Sequence, residues 1–166
     1  PAPDRVERIL VESAGDMHTE VMAGIRHQDI FIGCAAVADY RPAHVADAKI
    51  KKDADQLTLE LVKNPDIIAE VAQLEGRPYV VGFAAETENL ETHARSKLIN
   101  KRLDMIAANQ VGGDLGGFET EDNALLVLWQ DQRQQIPSGR KRSVARQLIQ
   151  IIAQQYASGR LQQNSA

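Results

Sequence analysis

The fold is decided by the segment Ile30-Phe31-Ile32-Gly33-Cys34-Ala35-Ala36-Val37-Ala38-Asp39-Tyr40-Arg41-Pro42. It is a short apolar run that ends in small residues and then in a polar loop. An apolar run of this length without alternation is typical of an interior strand of a parallel sheet, because helices cover both of its faces. Ligands of open α/β sheets bind outside the carboxyl ends of the strands. We therefore expect a binding site where Ala35, Ala36 and Asp39 follow the strand.

A second apolar run, from Pro78 to Glu86, also ends in small residues. Two strand ends of one type predict one shared pocket. Between the two runs, Asn64 is a good helix N-cap and Pro65 suits the first helical position, since a proline lacks the N–H that would be unpaired there.

The remaining pattern alternates strands with helices. Strands are predicted over Arg5–Val11, over Leu57–Val62 as a half-buried strand, over Leu103–Asn109 and over Asn123–Trp129, and helices over Asp16–His27 behind a Ser13 cap, Leu90–Arg102 and from Lys141 onward. Pro137-Ser138-Gly139 predicts a break before the last helix. This order predicts an α/β fold, a three-layer, Rossmann-like structure with a largely parallel sheet and helices on both faces.

Composition fits one globular domain over residues 1–166, with 43% hydrophobic and 25% charged residues. The apolar runs fall short of the roughly 18 residues of a membrane span, and no secretory leader is visible, so we expect a cytoplasmic protein without a membrane partner. The net charge of −4 argues against nucleic-acid binding. The single cysteine, Cys34, excludes an internal disulfide and is expected to be a small core residue.

No dinucleotide-binding or Walker glycine motif is present, and the four histidines lack metal-ligand spacing. The glycine-rich segment 112–117 is interpreted as a flexible connection. The cluster Lys49-Ile50-Lys51-Lys52 is either a solvated face or a loop that closes over phosphates. Lys97 and Lys101, one turn apart, are either exposed helix cations or phosphate anchors, and Phe83 is either a core residue or a ring that packs on a base.

Five ordered motifs together resemble one family. They are Ala35-Ala36-Val37-Ala38-Asp39-Tyr40, Lys49-Ile50-Lys51-Lys52, Val62-Lys63-Asn64-Pro65-Asp66-Ile67, Val81-Gly82-Phe83-Ala84-Ala85-Glu86 and Ala108-Asn109. In this order they are similar to the bacterial phosphopantothenate–cysteine ligases, also called phosphopantothenoylcysteine synthetases. In many bacteria such a ligase is the C-terminal half of a bifunctional coenzyme A biosynthesis protein.

The resemblance implies a two-step ligation with CTP as co-substrate and Mg²⁺ as cofactor. The carboxylate of 4'-phosphopantothenate attacks the α-phosphate of CTP and gives an acyl-cytidylate and pyrophosphate, and the amine of L-cysteine then displaces CMP. It also implies a homodimer and a fused flavin-dependent decarboxylase domain.

The resemblance assigns roles by motif position. Lys49 matches the catalytic residue, and Ala35 and Ala36 match residues that line the acyl intermediate. It assigns no metal ligand. The positions that match CTP contacts are Asp39, Lys49, Pro65, Asp66, Ile67, Ile68, Phe83, Lys97 and Lys101.

One family motif has no counterpart here. The family's domain begins with a further strand and a segment of the type Ser-Asn-x-Ser-Ser-Gly-Lys-Met-Gly, whose asparagine helps to hold the acyl-cytidylate. From this we expect the chain to be N-terminally incomplete, binding CTP weakly while lacking most ligase activity. Two other hypotheses stay open: a non-catalytic nucleotide-binding or regulatory α/β module, and a structural interaction fragment.

Overall fold

The computed structural model describes residues 4–51, 55–111 and 121–163. Over these residues the elements follow in the order α1 (Ala14–Gly24), a short 3-10 helix (Ile25–His27), β1 (Ile30–Gly33), β2 (Tyr40–Pro42), β3 (Leu61–Lys63), α2 (Ile67–Val71), β4 (Tyr79–Glu86), α3 (Leu90–Asn100), β5 (Met105–Gln110), β6 (Asp122–Trp129), β7 (Gln132–Arg140) and α4 (Lys141–Gln163). None of the helices in this part of the chain is long and apolar enough to cross a membrane.

The main sheet has five strands in the order β1-β4-β5-β6-β7. β1, β4 and β5 are parallel to one another, whereas β6 and β7 are antiparallel to their neighbours. The predicted α/β fold is therefore confirmed, with a mixed sheet in which three of the five strands are parallel. β2 and β3 form a separate antiparallel ribbon.

Helices cover both faces of the main sheet, as expected. On one face, the apolar stripe of α4 packs against alternate residues of β4 to β7, through Val144, Leu148, Ile151 and Ile152. On the other face, α3 packs through Ala94 and Leu98, and α2 packs through Val71 against Val80. Two buried layers thus enclose the parallel strands.

The predicted cap of α1 is confirmed. The N–H of Asp16 donates to the Ser13 hydroxyl over 3.1 Å, and the N–H of Ser13 donates to the Asp16 carboxylate over 3.0 Å. Each side chain therefore satisfies a backbone donor that the helix itself leaves unpaired. The hydrogen bonds from Ser13 also hold the pKa of Asp16 below its ordinary value.

Within the described residues, the prediction of an interior strand at Ile30–Gly33 is not confirmed. β1 is an edge strand that pairs with β4 alone among the described strands, and its four residues are only half-buried. The amino-acid composition of a segment indicates that a strand is apolar, but it does not indicate which strands lie beside it in the sheet. Cys34, expected in the core, is exposed because the strand ends one residue earlier.

Two further strand predictions are wrong. Residues 6–11 form no strand and are mostly exposed. The predicted half-buried strand over Leu57–Val62 is reduced to β3, whose three residues are exposed. Both segments have strand propensity, but a strand needs a partner with which to pair, and β3 finds one only along Tyr40–Pro42.

Local signals near Pro65 and Pro137 were also misread. α2 begins at Ile67 and its N-cap is Asp66, not Asn64. Pro137 lies within β7 and does not end it. β7 is an edge strand, and its pairing with β6 is irregular between Asn123 and Leu125, opposite this proline. A proline is tolerated at such a position because no ladder hydrogen bond from its nitrogen is needed there.

Candidate functional site

A cleft of about 950 Å³ lies at the carboxyl ends of β1 and β4, where the sequence predicted a shared pocket. Nine of the predicted site residues line it: Ala35, Asp39, Pro65, Asp66, Ile67, Ile68, Phe83, Lys97 and Lys101. Lys97 and Lys101 therefore line the same cleft as Ala35 and Phe83. Neither Lys49 nor Ala36 is among the residues that line the cleft, and both are exposed.

Two glycines on neighbouring strands bring α2 to the floor of the cleft. Gly33 of β1 pairs in register with Gly82 of β4. A Cβ atom on Gly33 would lie 3.1 Å from Ile68 Cδ1, and one on Gly82 would lie 2.7 Å from Leu103 Cδ1 and 3.2 Å from Ile68 Cδ1. The missing side chains make the space into which Ile68 packs. The first turn of α2 therefore lies directly over the ends of the two strands.

α3 supplies a cation that is already paired. Lys97 Nζ lies 2.6 Å from Glu86 Oε1 at the end of β4, and His93 Nδ1 lies 3.3 Å from Glu86 Oε2. The side chain of Glu86 is only 14% exposed. The hydrogen bond from Lys97 lowers the pKa of Glu86, although burial opposes the shift. The glutamate is thus held as an anion that orients Lys97.

The second cation of α3 reaches α2. Lys101 Nζ lies 2.7 Å from Asp66 Oδ2. The other carboxylate oxygen of Asp66 accepts a hydrogen bond from the N–H of Ala69 over 3.3 Å and caps α2. One carboxylate therefore satisfies a helix terminus and positions a lysine at the rim of the cleft.

The segment that connects β1 to β2 is held by Asn64. The Asn64 side chain donates to the Ala38 carbonyl over 2.8 Å, and its backbone N–H donates to the Asp39 carbonyl over 2.9 Å. Arg41 Nη1 donates both to Asn64 Oδ1, over 3.0 Å, and to the Lys63 carbonyl, over 2.9 Å. These contacts fix the loop that carries Asp39 against the residues before α2.

The cleft combines cationic and apolar walls. Lys63, Lys97 and Lys101 contribute the ammonium groups. Apolar side chains of residues 9–25 line another part of it. Phe83 also lines the cleft and packs against the core on the α4 face. Such a site fits a ligand that carries both negative charge and an apolar or aromatic part.

Sequence reasoning did not assign a role to Glu86, which stands in one of the five motifs, or to Arg41, which stands in the segment Ile30–Pro42. For Glu86 the available signal was its position at the end of a strand, where polar side chains converge. Lys52 and the glycine segment 112–117 lie outside the described residues. Within the described ranges, no group of three or more His, Cys, Asp or Glu side chains is placed to hold a metal ion.

Comparisons with known proteins agree with this fold. Residues 1–156 match the family model of the DNA/pantothenate metabolism flavoprotein C-terminal domain. The chain is 51% identical over 158 residues to the coenzyme A biosynthesis bifunctional protein CoaBC of Vibrio cholerae, covering 93% of this chain and 40% of the relative. To CoaBC of Bacillus subtilis it is 39% identical over 148 residues, covering 89% of this chain and 36% of that protein.

Solved structures give the same result. The crystal structure of the C-terminal domain of CoaBC matches with a TM-score of 0.73 and 32% identity, covering 92% of this chain and 67% of that one. The DNA/pantothenate metabolism flavoprotein of Streptococcus pneumoniae, at 21% identity and a TM-score of 0.65, shares the fold; the match covers 86% of this chain and 71% of that one. The present chain spans about two fifths of the length of the curated relatives just described. It belongs to the family of the DNA/pantothenate metabolism flavoprotein C-terminal domain, the family of the CoaBC C-terminal domain.

Proposed function

We propose that this chain is the ligase domain that joins 4'-phosphopantothenate to L-cysteine with CTP, in coenzyme A biosynthesis. The observation that carries the proposal is the single cleft in which Ala35, Phe83, Lys97 and Lys101 meet. Family membership and the names of the relatives support the same pathway. The likeness of the five motifs to the phosphopantothenate–cysteine ligases supplies the reaction.

In this proposal the nucleotide lies across the ends of β1 and β4. Phe83 and the segment Pro65–Ile68 at the start of α2 contact the nucleoside, and Asp39 contacts it from the loop between β1 and β2. Lys97 and Lys101 face the triphosphate, where their ammonium groups offset its negative charge. Lys97 is well suited to this because Glu86 fixes its direction while the lysine side chain remains 46% exposed.

The first chemical step joins two anions. A carboxylate oxygen of 4'-phosphopantothenate attacks the α-phosphorus of CTP, the bond to the β-phosphate oxygen breaks, and pyrophosphate leaves. Negative charge grows on the leaving pyrophosphate, so cations placed there lower the barrier. We assign this role to Lys49, carried by the loop after β2, which brings its charge to the cleft when the loop closes.

The second step releases CMP. The amine nitrogen of L-cysteine attacks the acyl carbon of the acyl-cytidylate, the bond to the phosphate oxygen breaks, and the amine loses a proton as the amide forms. Ala35 and Ala36 have small side chains, which allow the acyl group to approach the backbone of their loop. We place the acyl group there.

Magnesium enters this proposal as the metal of the CTP complex. Mg²⁺ is commonly held by substrate phosphates, water and one or two carboxylates rather than by a cage of protein ligands. The described residues fit that pattern, since they contain no cluster of three or more potential ligands while Asp39 lines the cleft. Bound there, Mg²⁺ would neutralise part of the triphosphate charge.

The proposal is tested by pyrophosphate release with 4'-phosphopantothenate and each of CTP, ATP, GTP and UTP. The assay uses this chain and a version extended by the Gly-rich segment that the family resemblance implies. We expect CTP to be preferred and the extended version to be faster. Lys49→Ala should abolish turnover without changing the melting temperature, whereas the matched variant Lys141→Ala, on the helix of the opposite face, should retain it.

Two outcomes would count against this function. The first is that no nucleotide supports pyrophosphate release and that Mg²⁺–CTP leaves the melting temperature unchanged, although a ligand of the native state must raise it. The second is a rise in melting temperature with CTP but no turnover in either version. That result would favour the non-catalytic nucleotide-binding module.

We further propose a homodimer that forms through the β2–β3 ribbon. Tyr40 and Leu61 of the ribbon are 51% and 54% exposed, and Leu57 and Leu59 before it are also exposed. An isolated two-stranded ribbon is marginally stable in water, so cover by a second copy would stabilise it. Sedimentation should show a dimer that Leu61→Glu dissociates, while Ile149→Glu, an exposed position on α4, leaves it intact.

The names of the relatives extend the proposal to the longer protein. They are bifunctional, and the matching family is that of a flavoprotein C-terminal domain. We therefore propose that this domain works next to a flavin-dependent decarboxylase domain that consumes the ligation product. A cytoplasmic location and the absence of a nucleic-acid partner stay predictions from composition.

A further inference from the structure

We infer that Asn64 is a positioning residue that holds the segment Ala35–Asp39 in its working place, and this inference rests on the proposed CTP site. Asn64 was expected to cap α2, but Asp66 has that role. Asn64 therefore needs a different explanation. Its hydrogen bonds supply one, because the backbone N–H and the side-chain amide nitrogen donate to carbonyls of the loop between β1 and β2, while the side-chain oxygen accepts from Arg41 of β2.

The loop depends on these bonds for its order. Residues 34–39 form no helix or strand and are all exposed, so few packing contacts hold them. Asn64 anchors two successive carbonyls, those of Ala38 and Asp39, at 2.8 and 2.9 Å. The Asn64 side chain is itself fixed by Arg41, whose Nη1 also donates to the Lys63 carbonyl.

Both anchored parts line the cleft. Ala35, Ala38 and Asp39 line it from the loop between β1 and β2, and Pro65 and Asp66 line it together with Asn64 itself. Asn64 thus sets the distance between a loop proposed for the acyl group and a helix turn proposed for the nucleotide. A small error in that distance reduces the rate strongly, because the reacting atoms must be held in near-attack geometry.

The chemistry of Asn64 makes the inference specific. Its amide donates to Ala38 and accepts from Arg41 at the same time. An ionised carboxylate of the same length can only accept. Asn64→Asp keeps the acceptor for Arg41 and removes the donor to Ala38. Asn64→Ala removes both and adds no charge, so it separates the loss of the donor from the effect of a new carboxylate.

The test compares these two variants with the wild-type chain in two measurements. Hydrogen exchange without nucleotide should be faster in peptides that span 34–41 in both variants. Calorimetric titration with Mg²⁺–CTP should show affinity weakened by about tenfold. Gln150→Glu makes the same amide-to-carboxylate change on α4 and should alter neither.

A double-mutant cycle separates positioning from a merely structural role. Asp39→Ala removes the contact that Asn64 is inferred to position, so Asn64→Ala combined with Asp39→Ala should bind CTP no more weakly than the weaker single variant. Additive losses would overturn the inference. Faster exchange with unchanged CTP affinity, or unchanged exchange, would also overturn it. If the wild-type chain bound no CTP, the proposed function would fail. Hydrogen exchange alone would then test the anchor: faster exchange over 34–41 in the Asn64 variants would support it, and unchanged exchange would overturn it.

Discussion

Lys101 Nζ lies 2.7 Å from Asp66 Oδ2, while Asp66 Oδ1 accepts a hydrogen bond from the N–H of Ala69. One carboxylate therefore links α3 to the start of α2. This pairing sets the width of the cleft on its cationic side, since both helices contribute residues that line it. The two contacts differ in kind, a helix cap and a half-exposed ion pair, so mutation can separate them.

We predict that Asp66→Ala lowers the free energy of unfolding by about 1 kcal/mol, because a helix loses its N-cap. Asp66→Asn keeps an acceptor for Ala69 and removes only the charge that faces Lys101. Asp66→Asn should lower the free energy of unfolding by about half as much as Asp66→Ala or less, since exposed ion pairs contribute little to stability. Urea denaturation of the two variants checks this. Equal losses would mean that the ion pair, not the cap, carries the stability.

A second prediction concerns pH. The pKa of Glu86 is lowered in the folded chain, chiefly by the hydrogen bond from Lys97, so the folded state binds a proton less readily than the unfolded state. The Glu86 anion therefore contributes stability above its ordinary pKa of 4.5, and this contribution is lost as the pH falls through the lowered value.

Glu86→Gln removes that contribution. The difference in unfolding free energy between wild type and Glu86→Gln should be largest near neutral pH and should shrink below about pH 4.5. Urea denaturation at a series of pH values measures it. Because His93 also contacts Glu86, the comparison is repeated in a His93→Gln background, which removes that contact. If the difference in unfolding free energy between wild type and Glu86→Gln did not depend on pH, the Glu86–Lys97 ion pair would not be its cause.

The sequence predicted the location of the cleft better than the details of the fold. Small residues after two apolar runs placed the cleft correctly, because the carboxyl ends of parallel strands share one edge of the sheet. The faces of α3 and α4 and the cap at Ser13 also follow from local spacing, which depends on only a few neighbouring residues.

The errors arose where a distant partner decides the outcome. Whether Ile30–Gly33 is central or at an edge depends on which strands lie beside it, and nothing in the segment itself records this. Asn64 and Asp66 are both good N-caps, and the choice was made by the carbonyls of Ala38 and Asp39, which engage Asn64 across 25 or so residues of chain. The pairing of Glu86 with Lys97 likewise depends on the packing of α3 against β4.

The third prediction concerns the floor of the cleft. In Gly82→Ala the new methyl would lie 2.7 Å from Leu103 Cδ1, so the side chain must move within a packed layer. Overpacking of this kind costs about 1–3 kcal/mol. Leu103→Val removes the δ-carbons, so the double variant should recover part of the loss, as judged by urea denaturation. If Leu103→Val made the loss larger, crowding at this contact would not be its cause.

The last prediction compares two cations on one helix. Lys97 lines the cleft, whereas Arg95 of the same helix pairs with Glu91 and donates to the Gln130 carbonyl, outside the set of lining residues. Both carry one positive charge, so their substitution by glutamine changes the overall charge of the chain equally.

If the cleft holds a triphosphate, Lys97→Gln should weaken Mg²⁺–CTP binding by about tenfold, the loss of one charge-assisted hydrogen bond. Arg95→Gln should leave the affinity within about twofold, because Arg95 does not line the cleft and salt screens the effect of an exposed charge that makes no contact with the ligand. Calorimetric titrations at two salt concentrations distinguish a direct contact between Lys97 and the nucleotide from long-range attraction by the charge of α3. Equal losses of Mg²⁺–CTP affinity in both variants that disappear at high salt would mean that α3 attracts the nucleotide without binding it at Lys97.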